Sequence, residues 1–570
     1  MTRATSRGVT ARAALWSALV ACAQAQGEPA GATTPAAPDP VVAPATTTTA
    51  ATAVAIPSPE ELEARGAVIG RIIVVPDDVF DPSIPGEDGW LYRTANKLHI
   101  NTRPAVIRDQ LLFRTGDRYD ARLIEENERI LRRNDYLYDA EIRAVAFDGH
   151  TVDLEVRTKD VWTLNPGFNF GRSGGKNATS VHVQEENLLG TGRKVEVAWG
   201  SDVDATAWTF SFIDPHFIEA FTRLGVSYTA ADDGDSKTFT LGRSFVSLDS
   251  RHAWGTNLAD TRFVNDRYEY GKKVGEFRQH SQYYEASGGW SDGLVDGWVT
   301  RWTAGATWRE DQFELEPGKS PAGPLPPDRT WAYPWIGVER VEDAWQERRN
   351  QDQILRIEDV LVGFRGWARL GYAPSGLGST TDAVMLAAGA QDGTDLGPGR
   401  SLFGSAWASG RVVRGHLENG ILGAEARYYW ATSSRSKFYA FASGTTTHDL
   451  DEDTQLTLGG DTGLRGYPLR YQAGTSKVLF TVEQRYYTDW YPFRLFRVGG
   501  AVFADAGRTW GRDVTGATSD GWLGDVGFGL RLGSSRSAFG NVVHVDLAFP
   551  LDRPTDIDSV QFIIETSERF

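Results

Sequence analysis

One cysteine, Cys22, and two methionines stand among 570 residues. A single thiol excludes an internal disulfide framework and any metal site built from several cysteines. Beyond the N-terminus no run of about 18 apolar residues goes uninterrupted, so a bundle of membrane-spanning helices is excluded. Strands that cross a membrane are not, because their signal is weak in any one segment. Positive charge is in short supply: 59 Lys and Arg face 75 Asp and Glu, for a net charge of -16. Nucleic-acid binding wants a basic surface, so nucleic acid is not expected as a partner.

Catalytic motifs are missing too. There is no P-loop and no dinucleotide fingerprint, and the nine histidines are scattered without an HExxH. Gly171-Arg172-Ser173-Gly174-Gly175 fits a nucleophile-elbow pattern, but an elbow needs a helix after it. The next residues, KNATSVHVQ, read as another strand, so the motif is a hairpin tip. Asp449, Asp451 and Asp453 open like a calcium loop. Thr454 stands where the turn glycine belongs and Gly460 where the bidentate glutamate belongs. That segment reads as a solvated loop. The chain is expected to be a non-enzyme with no cofactor and no metal.

Aromatic residues and glycine are abundant: 19 Trp, 19 Tyr, 27 Phe and 61 Gly. Aromatic girdles and glycine-rich turns suit an outer-membrane barrel. At the N-terminus Arg3, Arg7 and Arg12 precede a short apolar core, and Ala23-Gln24-Ala25 has the small-x-small pattern of a cleavage site. Residues 1–25 are therefore read as a signal peptide. Leu19-Val20-Ala21-Cys22 also resembles a lipobox, so lipidation of Cys22, or its removal with the signal peptide, both stay open. Residues 26–64 are rich in Pro, Ala and Thr and are expected to be a disordered linker.

Residues 65–160 read as a small α+β domain. Ile69 to Val75 is a β-branched strand. Thr102 to Phe113 reads as a helix with Thr102 as N-cap, and a second helix starts after Asp120. Asp148-Gly149 marks a hairpin whose second strand alternates Val152, Leu154 and Val156 with charged residues. The expected order is β-α-α-β-β. From residue 165 to 570 the pattern becomes repeated alternation split by Gly, Asp and Asn clusters. Leu422, Ala424, Ala426, Tyr428 and Trp430 share one face, while Glu425 and Arg427 take the other. Apolar-out and charged-in strands about ten residues long fit a tilted bilayer span. About 400 residues at roughly 25 per strand and connection predict an all-β transmembrane 16-stranded antiparallel barrel.

Near the end, strands are expected at 477–488, 498–507, 524–532, 541–549 and 559–566. The segment 445–476 then joins strands eleven and twelve. With the first strand rising from the periplasm, this is an extracellular loop. It contains Gly463-Leu464-Arg465-Gly466-Tyr467-Pro468. Glu483 and Asp505 alternate with lipid-facing Val482 and Ala504, so both acids face the lumen. An inward-folded loop would set Arg465 against them, since guanidinium matches carboxylate through two parallel bonds. Gly463 and Gly466 would let the loop turn and approach the wall.

These residues carry a resemblance. Leu464-Arg465-Gly466-Tyr467 followed by Phe503-Ala504-Asp505-Ala506-Gly507 is similar to the paired loop and wall motifs of the BamA/TamA superfamily, the bacterial surface antigen family. Glu483 matches its acidic wall residue. Glu186 to Gly192, Asp214-Pro215 and the terminal Phe570 also look like family features. The N-terminal unit resembles a POTRA domain, present once here, where relatives have two or more. The resemblance implies a bacterial outer-membrane pore with its POTRA domain in the periplasm. Unfolded outer-membrane or secreted proteins would be its partners, alongside outer-membrane lipids and accessory lipoproteins. The pore would insert proteins into the membrane or translocate them across it. A transporter for one dedicated secreted protein is the alternative, and a passive porin is the alternative of another class.

Overall fold

A computed structural model describes residues 56–570 apart from 353, 355, 356, 520, 535–541, 553–556 and 568–570. The expected signal peptide, Cys22, most of the linker and Phe570 lie outside the described residues.

The first element stands where linker was expected. Helix α1 (Pro59–Ala64) is capped by Ser58, whose hydroxyl accepts the Glu61 N–H, and Pro59 fills its first turn. Leu62 fixes it to the core of the domain that follows. That domain continues through β1 (Val68–Asp77), α2 (Trp90–Leu98), α3 (Pro104–Arg108), α4 (Ala121–Arg132), β2 (Leu137–Phe147) and β3 (Thr151–Asp160). Its sheet runs β1-β3-β2, with β1 parallel and β2 antiparallel to β3. Two helices therefore escaped the sequence pattern, α1 and α2.

Thr102 is not an N-cap. Its amide and hydroxyl donate to the buried Asp160 carboxylate, at 2.7 and 3.0 Å, and the helix starts two residues later. Asp120 does cap α4, accepting the Leu123 N–H at 2.9 Å. Val152, Leu154 and Val156 present one fully buried face to Ile124 and Leu131 of α4.

The barrel has twenty strands, not the sixteen expected. The first six are β4 (Leu164–Ser173), β5 (Lys176–Glu185), β6 (Lys194–Ser201), β7 (Thr206–Asp214), β8 (Thr222–Ala231) and β9 (Asp235–Arg243). Three long ones follow, β10 (His252–Glu269), β11 (Lys272–Val295) and β12 (Trp298–Leu315), then β13 (Arg329–Glu342). A small hairpin, β14 (Trp345–Arg349) and β15 (Ile357–Leu361), leaves the wall before β16 (Arg365–Ala373). The wall resumes with β17 (Ala383–Asp395), β18 (Arg400–Val413), β19 (His416–Ser433) and β20 (Ser436–His448). A second small pair, β21 (Leu456–Leu458) and β22 (Gln472–Gly474), sits in the next connection. The last wall strands are β23 (Ser476–Tyr487), β24 (Phe496–Trp510), β25 (Leu523–Ser534), β26 (Val542–Pro550) and β27 (Gln561–Ser567).

The miscount has a physical cause. Many connections are two-residue turns, such as Gly174-Gly175, Tyr270-Gly271, Asp296-Gly297 and Arg414-Gly415, with positive φ throughout. The repeat is thus about twenty residues per strand rather than 25. The extra strands all lie upstream of β20, and their number is even. The loop before β23 therefore joins strands fifteen and sixteen and keeps the extracellular side.

Among the described residues β27 closes on β4 through one registered pair, Ile564 with Arg172, whereas β26 and β27 share seven. The outer face is apolar, with Leu422, Phe480, Val502 and Phe528 exposed to lipid.

The α+β domain covers the periplasmic mouth and touches the rim on several sides. Asn187, after the second barrel strand, donates to the Thr102 hydroxyl at 2.8 Å. After the sixth, the Leu248 amide donates to Glu126 at 2.6 Å and Asp249 pairs with Arg122. After the tenth, Glu347 and Asp359 of the β14–β15 hairpin hold Arg132. After the sixteenth, Arg494 donates to the Pro85 carbonyl at 2.9 Å.

Candidate functional site: an arginine of the extracellular loop against the inner wall

Residues 449–475 fold into the barrel. Leu464 and Tyr467 are completely buried, packed with Leu458, Tyr471, Leu479, Leu523 and Ile557. The Tyr467 hydroxyl donates to the carbonyls of Gly524 and Asp552, at 2.9 and 3.0 Å. Farther along, Arg470 forks onto Asp204 of the β6–β7 turn, at 2.7 and 2.6 Å. That turn follows the third wall strand while the loop follows the fifteenth, so the loop crosses the mouth.

Arg465 sits between these anchors. Its Nε and Nη2 donate to the two oxygens of Asp505, at 2.7 and 2.9 Å. Its Nη1 donates to Glu483 Oε1 at 2.8 Å, with Asp546 at 3.5 Å. Phe503 lies under the guanidinium, 3.4 Å from carbon to ring centroid. A planar cation thus meets an aromatic face and a fork of carboxylates at once, a geometry arginine has and lysine lacks.

The two glycines serve different ends. Gly463 has φ +110°, a turn conformation that side chains resist. Gly466 lies flat against the wall: a Cβ there would stand 2.6 Å from Asp525 Cβ. Its amide donates to Asp525 Oδ2 at 2.9 Å. Gly507 makes room as well, for a Cβ on it would meet Leu458 at 2.9 Å.

The structure therefore brings Arg465, Glu483 and Asp505 together, with Leu464, Gly466, Tyr467, Phe503 and Gly507 around them. Sequence reading sets Arg485 and Asp546 on the inner face without joining them to the site, and it does not single out Asp525 or Arg531. Arg485 donates to the second oxygen of Glu483 at 2.9 Å, Arg531 pairs with Asp546, and Asp525 lies beside the Arg465 partners. Three arginines thus share one buried network with four carboxylates. The period-two pattern that exposed Glu483 and Asp505 also puts Asp525, Arg531 and Asp546 inward, so the signal was present. Asp451 and Asp453, expected in a solvated loop, instead hold Arg411 and Arg329 inside the barrel, at 2.6 and 2.7 Å.

Residues 402–570, which include the loop, the wall motif and the last strands, match the Omp85 superfamily domain. The last strands of the barrel thus form an Omp85 superfamily domain. Its place is the bacterial outer membrane, and the members of this superfamily are transporters or assembly factors rather than enzymes. Among solved structures the chain is similar to BamA from Haemophilus ducreyi lacking POTRA domains 1-3, at 13% identity and TM-score 0.38, covering 88% of this chain and 84% of that one. It is also similar to CdiB from Acinetobacter baumannii, at 12% identity and TM-score 0.45, over 88% of this chain and 74% of that one. CdiB from Escherichia coli matches at 14% identity and TM-score 0.45, over 89% and 77%. The Omp85 match covers the C-terminal strands, so the site described here lies wholly within it.

Proposed function

We propose that this Omp85 barrel inserts proteins into the outer membrane or passes them across it, with the α+β domain acting as a single POTRA domain. The observation that carries the reading is Arg465, held by Asp505 and Glu483 within the segment that matches the superfamily. A passive pore does not need a loop fastened to its wall by a buried cation.

In this reading an unfolded client first adds a strand to the domain, through backbone bonds that carry little sequence information. The sheet has two edges to offer. On β1 the first half is occupied, since the Tyr119 amide donates to the Ala67 carbonyl and the Ile69 amide to Asp117. On β2 the Ala140 carbonyl and Ile142 amide are engaged by Arg132 and Glu128. The edges that run on are Ile72–Asp77 and Arg143–Phe147.

The client then meets the barrel, either through the lumen or at the seam between β4 and β27. Among the described residues this seam has one registered pair against seven between β26 and β27, so it costs less to open than that neighbour. Each client strand that pairs with a barrel edge exchanges hydrogen bonds one for one, so the step needs no nucleotide. Arg465 would keep the loop docked while the seam works.

Depletion followed by proteomics of the outer membrane tests the reading. Broad loss of barrel proteins supports insertion, and loss of one secreted protein supports a dedicated transporter. An unchanged protein complement would defeat both.

A further inference from the structure

Helix α2 is built the wrong way round for a helix in water. Asn96 faces the domain, exchanging hydrogen bonds with Phe80 at 3.1 and 2.7 Å, and His99, just after the helix, meets Asp160 at 3.1 Å. Its apolar residues face out. Trp90 is 73% exposed, Leu91 57%, Leu98 70% and the following Ile100 52%. Positions 90, 94 and 98 lie one above another on a helix, with 91 beside them, so the exposed apolar groups form one stripe. Arg93 and Lys97 are also exposed on this helix. A surface stripe of this kind is a binding face rather than a chance residue.

Its neighbour indicates what it binds. The Tyr92 hydroxyl donates to the Phe493 carbonyl at 3.3 Å, and Arg494 donates to the Pro85 carbonyl at 2.9 Å. Both partners belong to the periplasmic turn between β23 and β24, where the wall leaves the bilayer. That turn shows Trp490 at 66% and Phe493 at 76% exposure, and Tyr486 and Phe496 face outward on the adjoining strand ends. Aromatic residues at the end of a transmembrane strand mark the interface between headgroups and chains. The stripe on α2 is thus fastened directly to the lipid-facing belt of the barrel.

We propose that α2 is a membrane-docking helix, and that its occupant is the phospholipid surface of the periplasmic leaflet. Trp90, Leu91 and Leu98 enter the interface beside Trp490 and Phe493. Arg93 and Lys97 reach toward lipid phosphates, as the basic residues of interfacial helices do. The role is positional: it holds the domain at the membrane on the side of β23 and β24 and fixes where a captured strand meets the barrel.

The test uses the whole chain in nanodiscs of phosphatidylethanolamine and phosphatidylglycerol. In a Cys22→Ser background a nitroxide is attached at Leu91→Cys, or, as the aqueous reference, at His150→Cys on the β2–β3 turn. Collision with molecular oxygen, which concentrates in lipid, is compared with collision with a water-soluble nickel chelate. A several-fold higher ratio of oxygen to nickel at position 91 than at 150 is expected. In detergent-free protein the same label on a Trp90→Ser/Leu98→Ser chain should lose that excess, while heat-modifiable migration on a gel shows the barrel still folded. Equal ratios at the two positions, or a label at 91 shielded from both reagents, would overturn the proposal.

Discussion

Arg132 of α4 and Asp359 of β15 meet through two parallel hydrogen bonds, Nε to Oδ2 at 3.0 Å and Nη2 to Oδ1 at 2.7 Å. The same guanidinium donates to Glu347 at 2.9 Å, on the other strand of the hairpin. One side chain of the periplasmic domain thus clips a hairpin whose tip lies inside the barrel. There the Gln351 carbonyl accepts from Arg485, and Arg485 donates to Glu483, which also holds Arg465. A chain of polar contacts runs from the domain, through the lumen, to the extracellular loop.

Cutting its first link should free the domain without unfolding the barrel. Arg132→Ala leaves Glu347 and Asp359 facing each other without their cation, at a cost of about 2 kcal/mol for a pair this buried. The expected result is faster proteolysis between the domain and β4 in the reconstituted protein, with unchanged heat-modifiable migration. Wild-type proteolysis rates would show that the other rim contacts suffice.

Removing the clamp should cost more. Arg465→Ala leaves buried Asp505 without its cation and leaves Glu483 and Asp546 with Arg485 and Arg531 alone, and about 3 kcal/mol of barrel stability is at stake. Arg465→Lys should rescue little, because an ammonium cannot fork onto Asp505 or lie flat on Phe503. Gel-shift melting of both variants, with a depletion-rescue growth assay, measures stability and throughput together. A lysine variant that melts and rescues like wild type would contradict the geometric argument.

The two loop glycines give a finer test. Gly466→Ala places a methyl 2.6 Å from Asp525 Cβ, so the loop must lift off the wall. Gly463→Ala adds strain at φ +110° and a contact of 2.5 Å with Leu479. Both should lower the melting temperature, and Gly466→Ala should also loosen Arg465, visible as faster cleavage within 459–471 by added protease. Cleavage confined to the wild-type pattern would mean that the neighbouring anchors hold the loop alone.

Much of the site was legible because a strand reports its two faces in strict alternation. Glu483 and Asp505 alternate with Val482 and Ala504, so their inward direction followed from the chain alone. Arg465 could be paired with them because it stands between glycines in a segment too long for a simple turn. The strand count was not legible: two-residue turns such as Gly174-Gly175 leave few residues to mark a connection, and long strands such as β11 hide the repeat. Helix α2 was missed because it is only nine residues long, too short for Trp90, Leu91 and Leu98 to set a clear helical period. The hairpin β14–β15 and its path into the lumen depend on contacts with β19, β23, β24 and β26, far away in sequence.

The domain should also respond to pH through Glu128. Burial pushes this carboxyl from its ordinary 4.5 up to about 7, while the Ile142 N–H and Arg132 pull it down; Glu347 and Glu141 are the other charges facing it. A raised acid favours the folded domain when protonated. That contribution is complete below pH 4.5 and is lost as pH rises through about 7, on the order of 3 kcal/mol. Amides of α4 and β2 in the intact protein should be better protected from hydrogen exchange at pH 5.5 than at pH 8, after correction for intrinsic rates. Glu128→Gln should flatten that difference. A wild-type protein with flat protection would show that the carboxylate finds enough compensation to stay charged.

The hairpin tip should plug the lumen from below. It leaves the wall between the tenth and eleventh strands, yet its contacts reach strands fourteen, sixteen, seventeen and nineteen. The Tyr487 hydroxyl donates to the Asn350 carbonyl at 2.8 Å, and the Tyr429 hydroxyl to Asp352 at 2.8 Å. Ile354 packs on Tyr487, Ala501 and Val542. Replacing residues 350–354 by an Asn-Gly turn keeps Glu347 and Asp359, and therefore the clip on Arg132, while withdrawing the tip. Single-channel recording in planar bilayers should then show larger and longer openings than wild type, with the domain still protected from protease. If conductance instead stays at the wild-type level, the extracellular loop that crosses to Asp204 closes the lumen by itself, and the hairpin serves only to seat the domain.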